Sequence, residues 1–314
     1  MNLDFWKNKL VLVTGATGFV GQNLVDYLKD NKVDYYGPTH REYDLTNESD
    51  VERLFACVRP NIVFHLAGEV GGIYANSTRP ADFFYKNLMM GALIFEYAYK
   101  FEVEKLIALA AGCGYPENAV PPFLEDDFWS GLPEKNTRAY SMAKKNLILQ
   151  GWAYREQYGF NSSILLPANL YGCYDNFNLE TSHVVPALIR KFINAANENT
   201  DVVVWGSGAA SREFLYVKDA VLAMAKVAEN YNNVGPLNLG TGVETTIKEL
   251  IELISILTNF CGKIIWDVTK PDGQKRRVYD MSKFQKEIGY IPSTLLKDGL
   301  SETIEWYKKY YVCR

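Results

Sequence analysis

Leu10-Val11-Leu12-Val13-Thr14-Gly15-Ala16-Thr17-Gly18-Phe19-Val20-Gly21 is the stretch whose reading decides the fold. A strand-sized run of β-forming residues feeds straight into a turn with glycines at 15, 18 and 21, and Gln22 to Lys29 then reads as a helix. Glycine lets the backbone turn tightly and approach a pyrophosphate, whose charge settles at the helix N-terminus. A glycine turn with no ligand is the bland alternative. Strand, turn and helix in that order at the start of the chain favour nucleotide binding, and make Gly15, Thr17, Gly18, Phe19, Val20 and Gly21 candidate cofactor contacts.

Further along, short β-rich runs alternate with helix-length segments. Asp34 to Tyr36, Asn61 to Leu66, Lys105 to Leu109 and Ser162 to Leu166 read as strands. The alternation predicts an α/β fold of the Rossmann type, a doubly wound parallel sheet with helices on both faces. After Pro167 the pattern loosens into polar, glycine-bearing loops around Gly172 to Thr181 and Gly206 to Ser211, whereas Phe214 to Gly240 regains a helix and the strand-like Pro236 to Leu239. The expected division is a dinucleotide-binding domain over 1–172 and about 214–240, interleaved with a smaller substrate domain over about 173–213 and 241–314.

Composition narrows the function. At 314 residues and 48% hydrophobic content the chain can bury a large core, and a net charge of −4 gives no general pull on polyanions, so nucleic acid is a poor partner. Nothing approaches the roughly 18 apolar residues of a membrane span, and a cytoplasmic protein with no membrane partner is expected. Five scattered cysteines fit neither a disulfide framework nor a zinc spacing, and three histidines are too few for a histidine-rich metal centre, so no metal is expected. Leu88 to Phe101 and Leu147 to Tyr154 are apolar nearly all round, as helices covered on two sides would be; a homodimer through a helix bundle accounts for that.

Two further segments carry chemistry. Where the second strand ends, Arg41 with His40 favours the 2′-phosphate of NADP(H), while Glu42 leaves NAD(H) open. In Tyr140-Ser141-Met142-Ala143-Lys144 a phenol and an ammonium lie four residues apart on one helix face. A free tyrosine titrates near about 10, too high for acid-base work at neutrality unless a positive charge stabilises its phenolate. Such a pair arises often by chance on amphipathic helices; its place, about 120 residues after the glycine turn and just before the fifth strand, argues for catalysis.

The glycine spacing, the Tyr-x-x-x-Lys and Asn61 to Gly68 together resemble the extended short-chain dehydrogenase/reductase family. Gly112-Cys113-Gly114-Tyr115-Pro116, Pro167-Ala168-Asn169-Leu170-Tyr171-Gly172, Asp175-Asn176-Phe177, Ser182-His183-Val184, Arg212-Glu213-Phe214 and Lys270-Pro271-Asp272-Gly273 resemble its GDP-L-fucose synthase branch, over almost the whole chain. The resemblance implies epimerisation at C3 and C5 of a GDP-linked 4-keto-sugar and NADPH-dependent reduction at C4. A ketone at C4 acidifies both neighbouring C–H bonds, so an acid and a base on opposite ring faces can invert them.

By the same resemblance Cys113 and His183 form the epimerising pair, where the residues alone would suggest a small buried hydrophobe and a helix-start residue. Asp44, Leu45, Leu66, Ala67, Gly68, Asn87, Pro167, Asn169, Leu170 and His183 join Tyr140 and Lys144 around the cofactor. Asn169, Val184, Lys191, Trp205, Arg212 and Arg277 fall to the nucleotide-sugar. Lys191 stands where the family has an arginine, which replaces a bidentate phosphate fork by a point charge.

One position departs from the pattern. Four residues before Tyr115, where the family carries a serine or threonine hydroxyl beside the reactive carbonyl, this chain has Ala111. Losing an oxyanion donor typically costs on the order of 10² to 10³ in rate. The readings left open are the family reaction with another donor or a water, an oxidising epimerase without net cofactor turnover, a C4 reductase on a different GDP-sugar such as a heptose, and a catalytically silent nucleotide-sugar binder.

Overall fold

All four residues of β1 (Val11–Thr14) are buried, because parallel neighbours lie on both sides and helices cover both faces; the run is continuously apolar rather than alternating for that reason. The computed structural model describes residues 1–179, 181–270 and 274–312, without the side chains of Ile73 and Tyr74. Pro271, Asp272 and Gly273 of the Lys270 segment and Cys313 lie outside the described residues. Around β1 the first half of the chain runs α1 (Leu3–Trp6), α2 (Phe19–Asp30), β2 (Tyr35–Tyr36), α3 (Glu48–Val58), β3 (Ile62–His65), α4 (Ile73–Thr78), α5 (Pro80–Lys100), β4 (Lys105–Leu109), α6 (Arg138–Tyr158) and β5 (Ser162–Pro167).

The second half runs β6 (Asn169–Tyr171), α7 (Val184–Glu198), β7 (Val202–Trp205), β8 (Ser211–Arg212), β9 (Phe214–Tyr216), α8 (Val217–Asn230), β10 (Pro236–Leu239), β11 (Thr245–Thr246), α9 (Ile247–Leu257), β12 (Ile264–Asp267), α10 (Ser282–Ile288) and α11 (Leu296–Tyr307). Six parallel strands form one sheet in the order β10-β5-β4-β3-β1-β2, the doubly wound arrangement expected from the alternation. As anticipated, the chain returns to the sheet late: β10 pairs with β5, with Leu237 opposite Leu165. The helix after the glycine turn starts three residues earlier than its amphipathic pattern suggests. Gly18, extended, is its N-cap, and the Gln22 N–H already donates to the Gly18 carbonyl at 2.9 Å.

Two hydrophobic cores form among the described residues. One surrounds the sheet; the other gathers Phe192 and Ile189 of α7, Ile251 of α9 and Ile304 of α11. Phe19 and Val20, at the start of α2, pack against the second core. Glu213, 1% exposed, ties distant segments together. Its carboxylate accepts the N–H groups of Tyr279 and Gly242, both at 2.8 Å, and that of Thr241.

Helices α5 and α6 pack on one another, with Gly91 leaving room for Leu147 and Tyr99 stacked on Tyr158 at 4.1 Å. Each buries one face on the sheet and leaves Phe84, Tyr85, Leu149 and Tyr158 in solvent. Among the described residues no helix is long and apolar enough to cross a membrane.

His65 ends β3 at 1% exposure, its Nδ1 hydrogen-bonded to Thr14 Oγ1 at 2.9 Å. Burial, and then the charge of Lys144, push its imidazole down to about 3. An unfolded histidine titrates near about 6.5, so the unfolded state takes up the proton first as pH falls. The stability contributed by neutral His65 is fully present above that value and drains away toward pH 3. Unfolding in urea should lose about 2 kcal/mol between pH 7 and pH 5 from this group. A His65→Gln variant should lack that increment, and equal pH slopes for the two proteins would refute it.

Candidate active site

Three backbone segments meet at the C-terminal end of β1. Gly15 has φ of 72°, and a Cβ there would meet the Ala67 nitrogen at 2.8 Å, while a Cβ on Gly21 would overlap the Gly15 carbonyl. No side chain caps α2, so its first N–H groups lack a side-chain acceptor and face the turn, as an anionic phosphate requires. Thr17 and Gly18 are exposed, Phe19 and Val20 half-buried. On the neighbouring strand end the Ala67 N–H donates to Thr14 Oγ1 at 3.3 Å.

Asn87 adds a second polar element. Its amide nitrogen donates to the carbonyls of Phe83 (2.7 Å) and Glu69 (3.0 Å), and its buried Oδ1 has no partner among the described residues. A Cβ on Gly68 would meet that oxygen at 3.0 Å and Lys144 Nζ at 3.3 Å, so the glycine keeps open a groove between an amide acceptor and an ammonium. An unpaired acceptor beside an ammonium suits a ribose diol, and with the glycine cradle these residues fit a dinucleotide. At the far side Leu45 is buried, and Asp44 accepts from the N–H and hydroxyl of Thr46, which hold its carboxyl below the usual range. Glu42 is likewise engaged, accepting from Thr39 N–H and Oγ1 at 2.7 Å each, whereas Arg41 is exposed.

Tyr140 and Lys144 lie one turn apart on α6 as their spacing predicts. Lys144, 5% exposed, donates to the Leu109 carbonyl at 3.2 Å; burial brings its ammonium down to about 8, opposed by Cys113. Tyr140 is half-buried, edge-on to Phe83 at 6.3 Å. Burial, then Cys113, raise its phenol above its ordinary value, so it holds its proton through the neutral range.

Cys113 sits in the 3₁₀ turn Gly112–Gly114 that follows β4. Ser141 Oγ reaches its carbonyl oxygen (3.0 Å) and Sγ (3.1 Å), which fastens the thiol to the tyrosine helix. A cavity of about 380 Å³ opens beside it, lined by Cys113, Glu117, Asn118, Glu134, Thr137, Gln274, Lys275 and Arg277 among others. Ala111 is buried at the turn's entrance and contributes no donor.

Of the expected residues, Tyr140, Lys144, Cys113, Asn87 and Gly68 come together, and Arg277 shares the cavity with Cys113. His183 is the exposed N-cap residue of α7, and the surrounding protein lowers its imidazole below the ordinary value. It makes no hydrogen bond with Cys113 among the described residues. Val184 follows it, 37% exposed; Lys191 and Lys270 hold their ammonium groups 5.8 Å and 5.6 Å from the ring centre of Trp205, itself 67% exposed. Arg212 turns inward to the carbonyls of Ser211 (2.7 Å) and Gln274 (2.6 Å).

Asn169 is turned to protein as well, its amide donating to the Glu213 carbonyl at 2.9 Å. Pro167 and Leu170 are half-buried in the strands on either side. Beyond the residues expected from the sequence, Ser141 and Tyr279 also adjoin the cysteine turn. Ser141 was legible in the sequence, being the neighbour of Tyr140; Tyr279 reaches the site only through folding.

Residues 11–240 match the NAD dependent epimerase/dehydratase family. A putative GDP-L-fucose synthase 2 from Arabidopsis thaliana is 44% identical over 303 residues, covering 96% of this chain and 92% of that protein. The GDP-L-fucose synthetase of Naegleria fowleri, solved bound to NADP, superposes with a TM-score of 0.90 at 30% identity, over 98% of this chain and 94% of that one. MlghC, a GDP-mannoheptose C4 reductase from Campylobacter jejuni solved with NADP, gives a TM-score of 0.88 at 29% identity, over 96% and 98%. The chain belongs to the NAD dependent epimerase/dehydratase family, within the group that contains the GDP-L-fucose synthases.

Proposed function

We propose that this enzyme takes a GDP-linked 4-keto-sugar, moves protons at the carbons flanking the ketone, and reduces C4 with NADPH. The observation that carries the reading is the convergence of Tyr140, Lys144 and Cys113 beside the Gly68 groove and the cavity. The nicotinamide, when bound, supplies hydride. Tyr140 gives its proton to the C4 oxygen, and the Lys144 ammonium offsets the charge left on the phenol. Cys113 and His183 exchange protons at C3 and C5. Trp205, Lys191, Arg212 and Arg277 hold the nucleotide-sugar, and we assign the sheet core to the cofactor domain and the second core to the substrate domain.

A second reading, C4 reduction without epimerisation, is favoured by the likeness to a GDP-mannoheptose C4 reductase. For the cofactor we favour NADP(H): Glu42 is occupied by its own loop, which leaves Arg41 free for a 2′-phosphate. The exposed Phe84, Tyr85, Leu149 and Tyr158 suit a homodimer formed by packing α5 and α6 against a second copy, and a reduced Cys113 suits the cytoplasm.

Incubation with GDP-4-keto-6-deoxymannose and GDP-4-keto-heptoses in D₂O should consume NADPH and place deuterium beside the ketone. Reduction without deuterium selects the second reading, and neither change on any substrate would leave a silent binder. Arg41→Ala should raise the KM for NADPH several-fold and spare that for NADH; equal effects on both would remove the phosphate assignment.

The pH dependence follows from Lys144. Burial disfavours the ammonium, so the charge that supports Tyr140 is present below about 8 and lost above it. The kcat/KM for reduction should be level near neutrality and fall through pH 8 to 9. A profile still level beyond pH 9.5 would exclude this role.

Sedimentation should give a dimer, which Leu149→Glu converts to monomer. A wild-type monomer at micromolar concentration would refute the bundle.

A further inference from the structure

Ala111 leaves the strand end without a hydroxyl, yet a hydroxyl stands one residue away. A Cβ on Gly112 would overlap Tyr279 Oη and meet the Pro167 carbonyl oxygen at 3.0 Å. Tyr279 Oη therefore occupies the space where a side chain at 112 would begin, and the bare glycine is what admits it. In the β4–β5 register Leu109 pairs with Leu165, which carried forward sets Ala111 beside Pro167; Tyr279 Oη donates to that proline's carbonyl at 3.1 Å.

The phenol is held firmly. Tyr279 is 5% exposed, its ring lies 5.6 Å from Tyr115 and 6.4 Å from Phe123, and its N–H is fixed on Glu213 at 2.8 Å. Cys113 and the Arg277 guanidinium both act electrostatically on it, and both line the cavity. Burial raises the phenol above its ordinary value, so it remains a donor near neutrality.

We propose that Tyr279 supplies the hydroxyl that position 111 lacks, its Oη leaving the Pro167 carbonyl to donate to the oxygen of the reacting ketone beside Tyr140. A tyrosine hydroxyl has one proton to donate, and an oxygen gathering negative charge accepts it roughly twice as strongly as a neutral carbonyl does. The exchange is thus driven as charge develops. Arg277, close to the same hydroxyl, favours negative charge there.

The inference rests on the keto-sugar reading and is tested with the substrate that turns over fastest in the panel above. Tyr279→Phe keeps the packed ring and removes only the oxygen. Its kcat should fall by about 10²-fold or more, with the KM for the sugar within about threefold and the urea midpoint lowered only slightly, by the lost hydrogen bond to Pro167. Ala111→Ser should raise kcat at least about tenfold more in the Tyr279→Phe background than in the parent, because the serine then restores a missing donor. Gly112→Ala, which displaces the hydroxyl by steric overlap, gives an independent route to the same loss and the same rescue. A Tyr279→Phe rate within about threefold of the parent, or a loss that Ala111→Ser leaves untouched in both backgrounds, would overturn the proposal while the keto-sugar reading stands. A parent that turns over no keto-sugar would sink both.

Discussion

The close approach of three backbone segments at the end of β1 is the constraint on which the rest depends. Gly15 lies against Ala67, and Gly21 against the carbonyl of Gly15, at distances no side chain would tolerate. That contact sets the angle at which α2 leaves the sheet, and so where its unpaired N–H groups point. It also brings the ends of β1 and β3 level, so that Gly68, Asn87 and Lys144 frame one groove. Parallel strands make this possible: every βαβ unit delivers its loop to the same edge of the sheet, and the chemistry gathers there.

Most of the fold was legible because its signals are local. The β1 run, the three glycines and the Tyr140–Lys144 spacing each lie within one element, and the periods of strand and helix convert directly into position. The late return of Pro236 to Leu239 was legible too, since a buried parallel strand reads as a short apolar run between turns. What escaped depends on contacts across long stretches of chain. Tyr279 meets Gly112 only because Glu213 fixes the backbone of one segment while β5 presents Pro167 from another. No periodicity carries that information. The uncapped start of α2 escaped for the opposite reason: it is local, but a glycine N-cap leaves no polar letter to read.

The site is divided by the same architecture. Tyr140, Lys144 and Cys113 stand on elements packed on or following the sheet strands, with Ser141 binding the cysteine turn to the tyrosine helix. His183, Val184, Lys191 and Trp205 belong to elements packed in the second core, where exposure is higher. In the proposed reading, hydride and carbonyl chemistry falls to the part built on the sheet. The same reading gives recognition of the nucleotide, and His183, to the part built on the second core.

The pairing of Gly112 with Tyr279 also bears on how such a sequence can change over time. With the phenol in place, the first carbon of any side chain at 112 has nowhere to go; without it, a glycine there would leave a void beneath the cysteine turn. Neither position can drift alone. A side chain at 112 and the phenol at 279 exclude one another, so a change at either position is felt at the other.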